Sequence, residues 1–220
     1  MIRIEHVEVH GWEMAIRGMR NPLNSWEKSD SYYGMVEDPE PINPCDWADF
    51  IIGPNDLGLM HRLAAAGSDH RKFMRMIMVG MDITAPLYWF KEFDTYKVGT
   101  VANSCSTMHT IHTKEFTLDD FSHEHLLDAN LKALNMLISH LNACRELFNA
   151  TKGKVFWQQM IQLLPTSYNQ KRTVLLNYEV LRNIYHARRH HKLDEWHGFC
   201  DMVETLPHAE LITGKKEGDI

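Results

Sequence analysis

Imidazoles at helical spacing are a common way for a chain to hold a metal, and this sequence has 14 His. His109 and His112 lie three apart, His123 and His125 two apart, and His186, His190 and His191 form a third group. On a helix His186 and His190 share a face. No HExxH occurs, no cysteine lies beside these groups, and Arg188, Arg189 and Lys192 would repel a dication. The last group reads as a basic helix end that complements a negative pole, and no metal site is assigned. Cys105, in Asn-Ser-Cys-Ser-Thr, stands in a polar setting where a thiolate could form; an ordinary thiol is the alternative. GxSxG, GxxxxGK[ST] and GxGxxG are absent, which removes the hydrolase elbow, the P-loop and the dinucleotide fingerprint. Residues 85–109, APLYWFKEFDTYKVGTVANSCSTMH, run from an aromatic-rich helix into small hydroxyl and amide side chains. Such a segment offers hydrogen bonds to a planar polar ligand, or is an amphipathic helix followed by a solvated edge strand.

The elements that position these residues read as one α+β domain over 1–206 with a tail over 207–220. Residues 2–9 alternate as a strand, and Trp12–Met19 follows as a short helix. Residues 21–54, with Pro22, Pro39, Pro41, Pro44 and Pro54, read as a long loop. Asn55 is expected to cap a helix to Ala66, and the second half of Phe73–Ile83 to be a buried strand. Pro86 opens the helix LYWFKEFDTYK, and Val98–Thr113 passes from irregular chain into a strand. Helices follow over Glu124–Ala150, with Asp119, Asp120 or Ser122 as its cap, and over Val155–Leu163, Arg172–Arg188 and Leu193–Leu206. The Leu/Met stripe of 124–150 reads as core and inter-subunit packing of a long helix.

Composition narrows the class. The 220 residues are 44% hydrophobic and 24% charged, with a formal net charge of −6. That is ordinary globular composition, without the positive field of a protein that grips a nucleic-acid polymer by its phosphates. No apolar run approaches the ~20 residues that span a bilayer. Four scattered cysteines and a start without a signal-peptide core lead to an expectation of reduced thiols in the cytoplasm.

The block over 85–109 resembles the signature region of the flavin-dependent thymidylate synthases. That family opens a helix on Ala-Pro, carries Arg-Gln-Trp, and continues into RHRxxSxNExSxRY. Here Ala85-Pro86 matches the opening, and Lys91-Glu92-Phe93 stands at Arg-Gln-Trp. Thr95-Tyr96-Lys97 stands at Arg-His-Arg. After one extra residue, Thr100 falls at the first Ser, Asn103 at the Asn and Ser106 at the second Ser. Ser104, Met108 and His109 replace the Glu, Arg and Tyr. Later, Asn177, Asn183, Arg188 and Trp196 are similar in type and spacing to the family's Asn, Asn, Arg and Trp, with Glu179 at an intermediate Arg. Gly67-Ser68-Asp69-His70 loosely matches a third element.

The resemblance implies a fold with a central, mainly antiparallel sheet packed with long helices and a helical C-terminal half. It implies a homotetramer with sites between subunits, FAD beside dUMP, and reductive methylation to dTMP with NADPH and methylenetetrahydrofolate. It places Arg188 as the catalytic guanidinium on the pyrimidine, with Glu92, Thr100, Asn103, Ser104 and Ser106 around the nucleotide. His70, Thr95, Tyr96, Lys97, Asn177 and Asn183 take the flavin positions. Thr95 and Tyr96 cannot reproduce an Arg–His grip on flavin, and Glu92 sets a carboxylate where Gln is expected. Three readings follow: a divergent dUMP methylase, a relative acting on another pyrimidine nucleotide such as a cytosine nucleotide, and a non-enzymatic nucleotide-binding oligomer that has lost flavin.

Overall fold

The computed structural model describes residues 2–35 and 48–215. Strands are β1 (Arg3–His10), β2 (Tyr32–Met35), β3 (Ala48–Ile51), β4 (Met78–Pro86), β5 (Val101–Ser104) and β6 (Asn169–Asn177). Helices are α1 (Trp12–Arg20), α2 (Pro54–Ala65), α3 (Leu87–Phe93), α4 (Thr107–Thr110), α5 (Asp128–Thr151), α6 (Lys154–Leu163), α7 (Tyr178–Arg188), α8 (Asp194–Glu204) and α9 (Glu210–Thr213).

The main sheet has the order β1-β4-β6-β5, and each of its pairings is antiparallel. Alternation decides its faces. Val79, Met81, Ile83 and Ala85 of β4, and Val174 and Leu176 of β6, are buried against the helices, whereas Thr173 and Leu175 are exposed. Trp89, Phe90, Phe93, Tyr178, Trp196 and Phe199 fill the layer above. A second apolar cluster joins α5 to α6 through Leu134, Ile138, Leu141 and Met160, with Ile111, Phe116 and Phe121 beneath. Of the stripe over 124–150, Leu134, Ile138 and Leu141 are core, whereas Leu127 and Leu147 are exposed.

The α+β class, the antiparallel sheet and the helical C-terminal half agree with the sequence reading, and several boundaries do not. Residues 172–177 lie in β6 rather than in a helix. Two adjacent leucines suit either state, but their burial alternates with a period of two. Asn177 then starts α7, its Oδ1 accepting from the Val180 N–H at 3.0 Å. The 21–54 loop contains the paired strands β2 and β3; its Pro39, Pro41 and Pro44 lie outside the described residues. α3 stops at Phe93, with Asp94 as its C-cap, before Thr95, Tyr96 and Lys97. α5 starts at Asp128 with Leu127 as its N-cap, so neither Asp119, Asp120 nor Ser122 caps it. The expected tail from residue 207 is packed in its first half: Leu211 and Ile212 are both 0% exposed in the main core.

Asn55 does not cap α2 either. The N-cap is Gly53, and the Asp30 carboxylate accepts from the Asn55 and Asp56 N–H groups at 2.9 and 3.1 Å. A Cβ on Gly53 would come within 2.3 Å of that carboxylate, which explains the glycine. Asp56, fully buried, accepts from Arg20 at 2.6 Å, Ser29 at 2.6 Å and Ser31 at 2.7 Å, and ties residues 20–31 to α2. Burial pushes its pKa up, but the hydrogen bonds from Ser29, Ser31 and Arg20 outweigh burial and hold it below the ordinary carboxylate value.

With the folded pKa depressed, Asp56 stabilises fully above the unfolded carboxylate range, and that stability is lost as pH falls through the folded value. Asp56→Ala strands Arg20 in the core and is expected to cost about 3–5 kcal/mol in urea unfolding at neutral pH. Asp56→Asn should flatten the acid limb of a stability–pH curve; an unchanged limb would show that Asp56 does not shape it.

Candidate active site

Topology brings two helix ends together. β4 and β6 are antiparallel neighbours, with Pro86 opposite Asn169 and Met78 opposite Asn177. The helices that leave them, α3 and α7, therefore start at opposite ends of the pair and run back over the same buried face. At ~1.5 Å per helical residue they cover roughly 10 and 16 Å, against about 30 Å for the strands at ~3.3 Å per residue. Their C-termini meet midway. Arg188 ends α7, and Glu92 lies in the last turn of α3.

Arg188 donates from Nη1 to Glu92 Oε2 at 2.7 Å and from Nε to the Tyr96 phenol oxygen at 2.9 Å. The same Glu92 oxygen accepts from the Trp196 indole N–H at 3.2 Å and lies 3.3 Å from His191 Nε2. The Arg188 guanidinium sits 5.1 Å from the centroid of the Trp196 ring, which is fully buried against Trp89. The pair is poorly screened on its cationic side, since the Arg188 side chain is 19% exposed and Glu92 34%. Glu92 stands close to the negative pole of α3, and Arg188 neutralises it there. All these contacts fall on Oε2; among the described residues Oε1 accepts no hydrogen bond. The arrangement presents a guanidinium donor and a carboxylate acceptor side by side, a match for the edge of a pyrimidine that carries both acceptors and N–H donors.

The other residues singled out from the sequence lie apart from this cluster or serve it indirectly. Thr95 bonds the Glu92 carbonyl through its Oγ1 at 2.7 Å, and Lys97 is exposed. Asn103 and Ser104 are exposed on β5, opposite Thr173 and Arg172. Ser106 caps the short α4, accepting from the His109 N–H at 2.9 Å. The Thr100 hydroxyl is buried without a partner among the described residues. Arg172 links this bend to α3: it donates to Asp94 at 2.7 Å and to Gln170, whose amide donates to the Cys105 carbonyl at 2.9 Å. No direct contact joins Ser104 or Ser106 to Arg188 among the described residues. Asn177 is occupied as the α7 cap, while Asn183 and His70 are exposed. Glu179, at an expected Arg position, is buried in an ion pair with Arg71 at 2.8 Å.

The triplet at the flavin positions does not fit a flavin grip: Thr95 and Tyr96 are engaged in internal hydrogen bonds and Lys97 is its lone cation, while Asn177 uses only its Oδ1, as the α7 cap. Among the described residues no group of three His, Cys, Asp or Glu gathers as metal ligands, and no helix is long and apolar enough to cross a membrane. In the sequence His191 reads as part of a basic helix end and Trp196 stands out by its type and spacing; no local motif marks their convergence on Glu92.

No family model matches the sequence, and no curated protein matches it. Solved structures share its fold. A flavin-dependent thymidylate synthase ThyX from Helicobacter pylori, complexed with FAD and dUMP, superposes with a TM-score of 0.66 at 17% identity, covering 98% of this chain and 99% of that one. A second ThyX structure from the same organism, also with FAD and dUMP, gives 0.64 at 17% identity, with 96% and 94% covered. A UMP/dUMP methylase PolB from Streptomyces cacaoi, bound with 5-Br dUMP, gives 0.57 at 12% identity, with 93% and 89% covered.

A double-mutant cycle on Glu92→Gln and Arg188→Met, read by chemical unfolding, is expected to give a coupling of about 1–3 kcal/mol, because Trp196 and Tyr96 fix the pair in place. Additive single effects would mean that the two side chains are independent.

Proposed function

We propose that this chain is a divergent member of the flavin-dependent thymidylate synthase family and binds a pyrimidine nucleotide at the Arg188–Glu92 cluster. The observation that carries this reading is the convergence of Arg188, Glu92 and Trp196 at the meeting point of α3 and α7, within a fold shared with proteins that hold dUMP. Arg188 is the fixed cation that meets a ring carbonyl and stabilises charge developing there. Thr100, Asn103, Ser104 and Ser106 belong to the nucleotide's ribose and phosphate side, which a neighbouring subunit of a homotetramer brings to the cluster. The reaction is transfer of a one-carbon unit to the pyrimidine, dUMP to dTMP, with methylenetetrahydrofolate as donor and NADPH as reductant, in the cytoplasm. FAD is the cofactor that this reaction calls for, with His70, Lys97 and Asn183 left to meet it. Because Thr95 and Tyr96 do not fit that role, no step is derived through flavin.

A second reading rests on Glu92. A carboxylate with one oxygen that accepts no hydrogen bond among the described residues can accept from an exocyclic amine, so a cytosine nucleotide fits where glutamine would serve uracil. Calorimetry with dUMP and dCMP separates the two.

Arg188→Ala is expected to weaken binding of either nucleotide by about a hundredfold, the scale of a charge-assisted hydrogen bond at a shielded site, with the native mass unchanged. Glu92→Gln should raise the dUMP-to-dCMP affinity ratio about tenfold. Unaltered affinity in Arg188→Ala would remove the nucleotide from this cluster. An unaltered ratio in Glu92→Gln would remove base choice from Glu92.

A further inference from the structure

One turn of α3 before Glu92, Tyr88 faces a different neighbour. Its phenol donates to Glu195, a short contact, and lies 3.0 Å from the Ser122 hydroxyl. Burial first, and then the Glu195 hydrogen bond, push the Tyr88 pKa up to about 12, so the phenol stays a neutral donor. Glu195 is only 8% exposed, and among the described residues no cation lies within ion-pairing distance of it. A carboxylate withdrawn from water with a neutral partner is a costly arrangement that a counter-charge would relieve.

That carboxylate lines a cavity of about 540 Å³ between the start of β1 and α8. The walls are apolar: Ile2 and Ile4 on one side, Gly198 and Met202 on the other. Gly198 allows the close approach of Ile2, whose Cγ2 a Cβ there would meet at 3.0 Å. The rest of the lining is polar: Asp194 and Asp201, with Glu124, His125 and His197. Asp194 is approached by His125 at 3.1 Å and His197 at 3.7 Å, whereas among the described residues no cationic or imidazole side chain comes within that range of Glu195. The neighbouring Trp196 points the other way, to Glu92, so the cavity adjoins the Arg188 cluster without sharing its side chains.

From the apolar walls, the volume and the buried carboxylate without a counter-cation, we infer that this cavity is a second binding site, one that takes a small organic cation with an apolar body, an aryl- or alkylammonium, whose ammonium group meets Glu195. The volume lies in the range of small-molecule sites, and a few convergent charged groups in a mainly apolar cavity are their usual composition. The site does not depend on the nucleotide reading.

The probes are phenethylammonium, its neutral counterpart phenethyl alcohol, and 3-phenylpropanoate, titrated into the full chain by calorimetry. Phenethylammonium is expected to bind one to one, about tenfold tighter than the alcohol, with no binding of the carboxylate. Glu195→Gln keeps an acceptor for Tyr88 but removes the charge, and should bring the ammonium down to the level of the alcohol. Met202→Trp should fill the space and abolish both. Arg188→Ala should leave phenethylammonium binding unchanged, whatever it does to nucleotides. Equal binding of ammonium and alcohol to the wild-type protein, absence of saturable binding, or full affinity in Glu195→Gln would each overturn the inference.

Discussion

The ion pair between Arg188 and Glu92 is the constraint on which the rest of the structure turns. A guanidinium and a carboxylate partly withdrawn from water are held together best when geometry is good and neighbouring donors and acceptors meet them. Here the Tyr96 hydroxyl meets Arg188 Nε, and the Trp196 indole and His191 imidazole meet Glu92 Oε2, with Trp196 supplying an aromatic face as well; among the described residues Oε1 is left without a hydrogen bond. The pair joins residues 96 positions apart in sequence, so it forms only when the sheet and both helices are in place. It therefore reports on the fold and presents charge to a ligand at once.

The sheet makes that junction unavoidable. Two antiparallel neighbours, each followed by a helix on the same face, direct α3 and α7 toward one another, and the helices are short enough to meet end to end. The buried aromatics Trp89, Phe93, Trp196 and Phe199 then fix where the polar groups rise from the core. Arg172, over the Phe90 ring at 3.9 Å and paired with Asp94, repeats the device one strand away and leads to the bend at Cys105. The α5–α6 hairpin has a core of its own and adds no side chain to the Arg188 cluster.

Much of this architecture is legible in the sequence, because period-two and helical patterns mark β1, β4, α1, α6 and α8 directly. The residues that mislead do so for physical reasons. Leu175 and Leu176 suit a helix as well as a strand, and only pairing with β4 and β5 settles them. Asp30 caps α2 from 25 residues away, which no local capping signal reveals. Glu92 and Arg188 are each conspicuous by their positions in a familiar pattern, yet that pattern does not say that one neutralises the other. His191 and Trp196 reach Glu92 only through the turn between α7 and α8. Glu195, buried beside Tyr88, has no sequence signature.

The central claim is that the Arg188–Glu92 pair is where a pyrimidine ring sits. Arginine Nε–H resonances, with that of Arg188 assigned by Arg188→Lys, test it during titration with dUMP and with dCMP. The Arg188 signal should shift saturably with the nucleotide, at the same midpoint as calorimetry, while that of Arg20, buried on Asp56, stays still. A nucleotide that binds by calorimetry and leaves the Arg188 resonance unmoved would place the ring elsewhere and contradict the account.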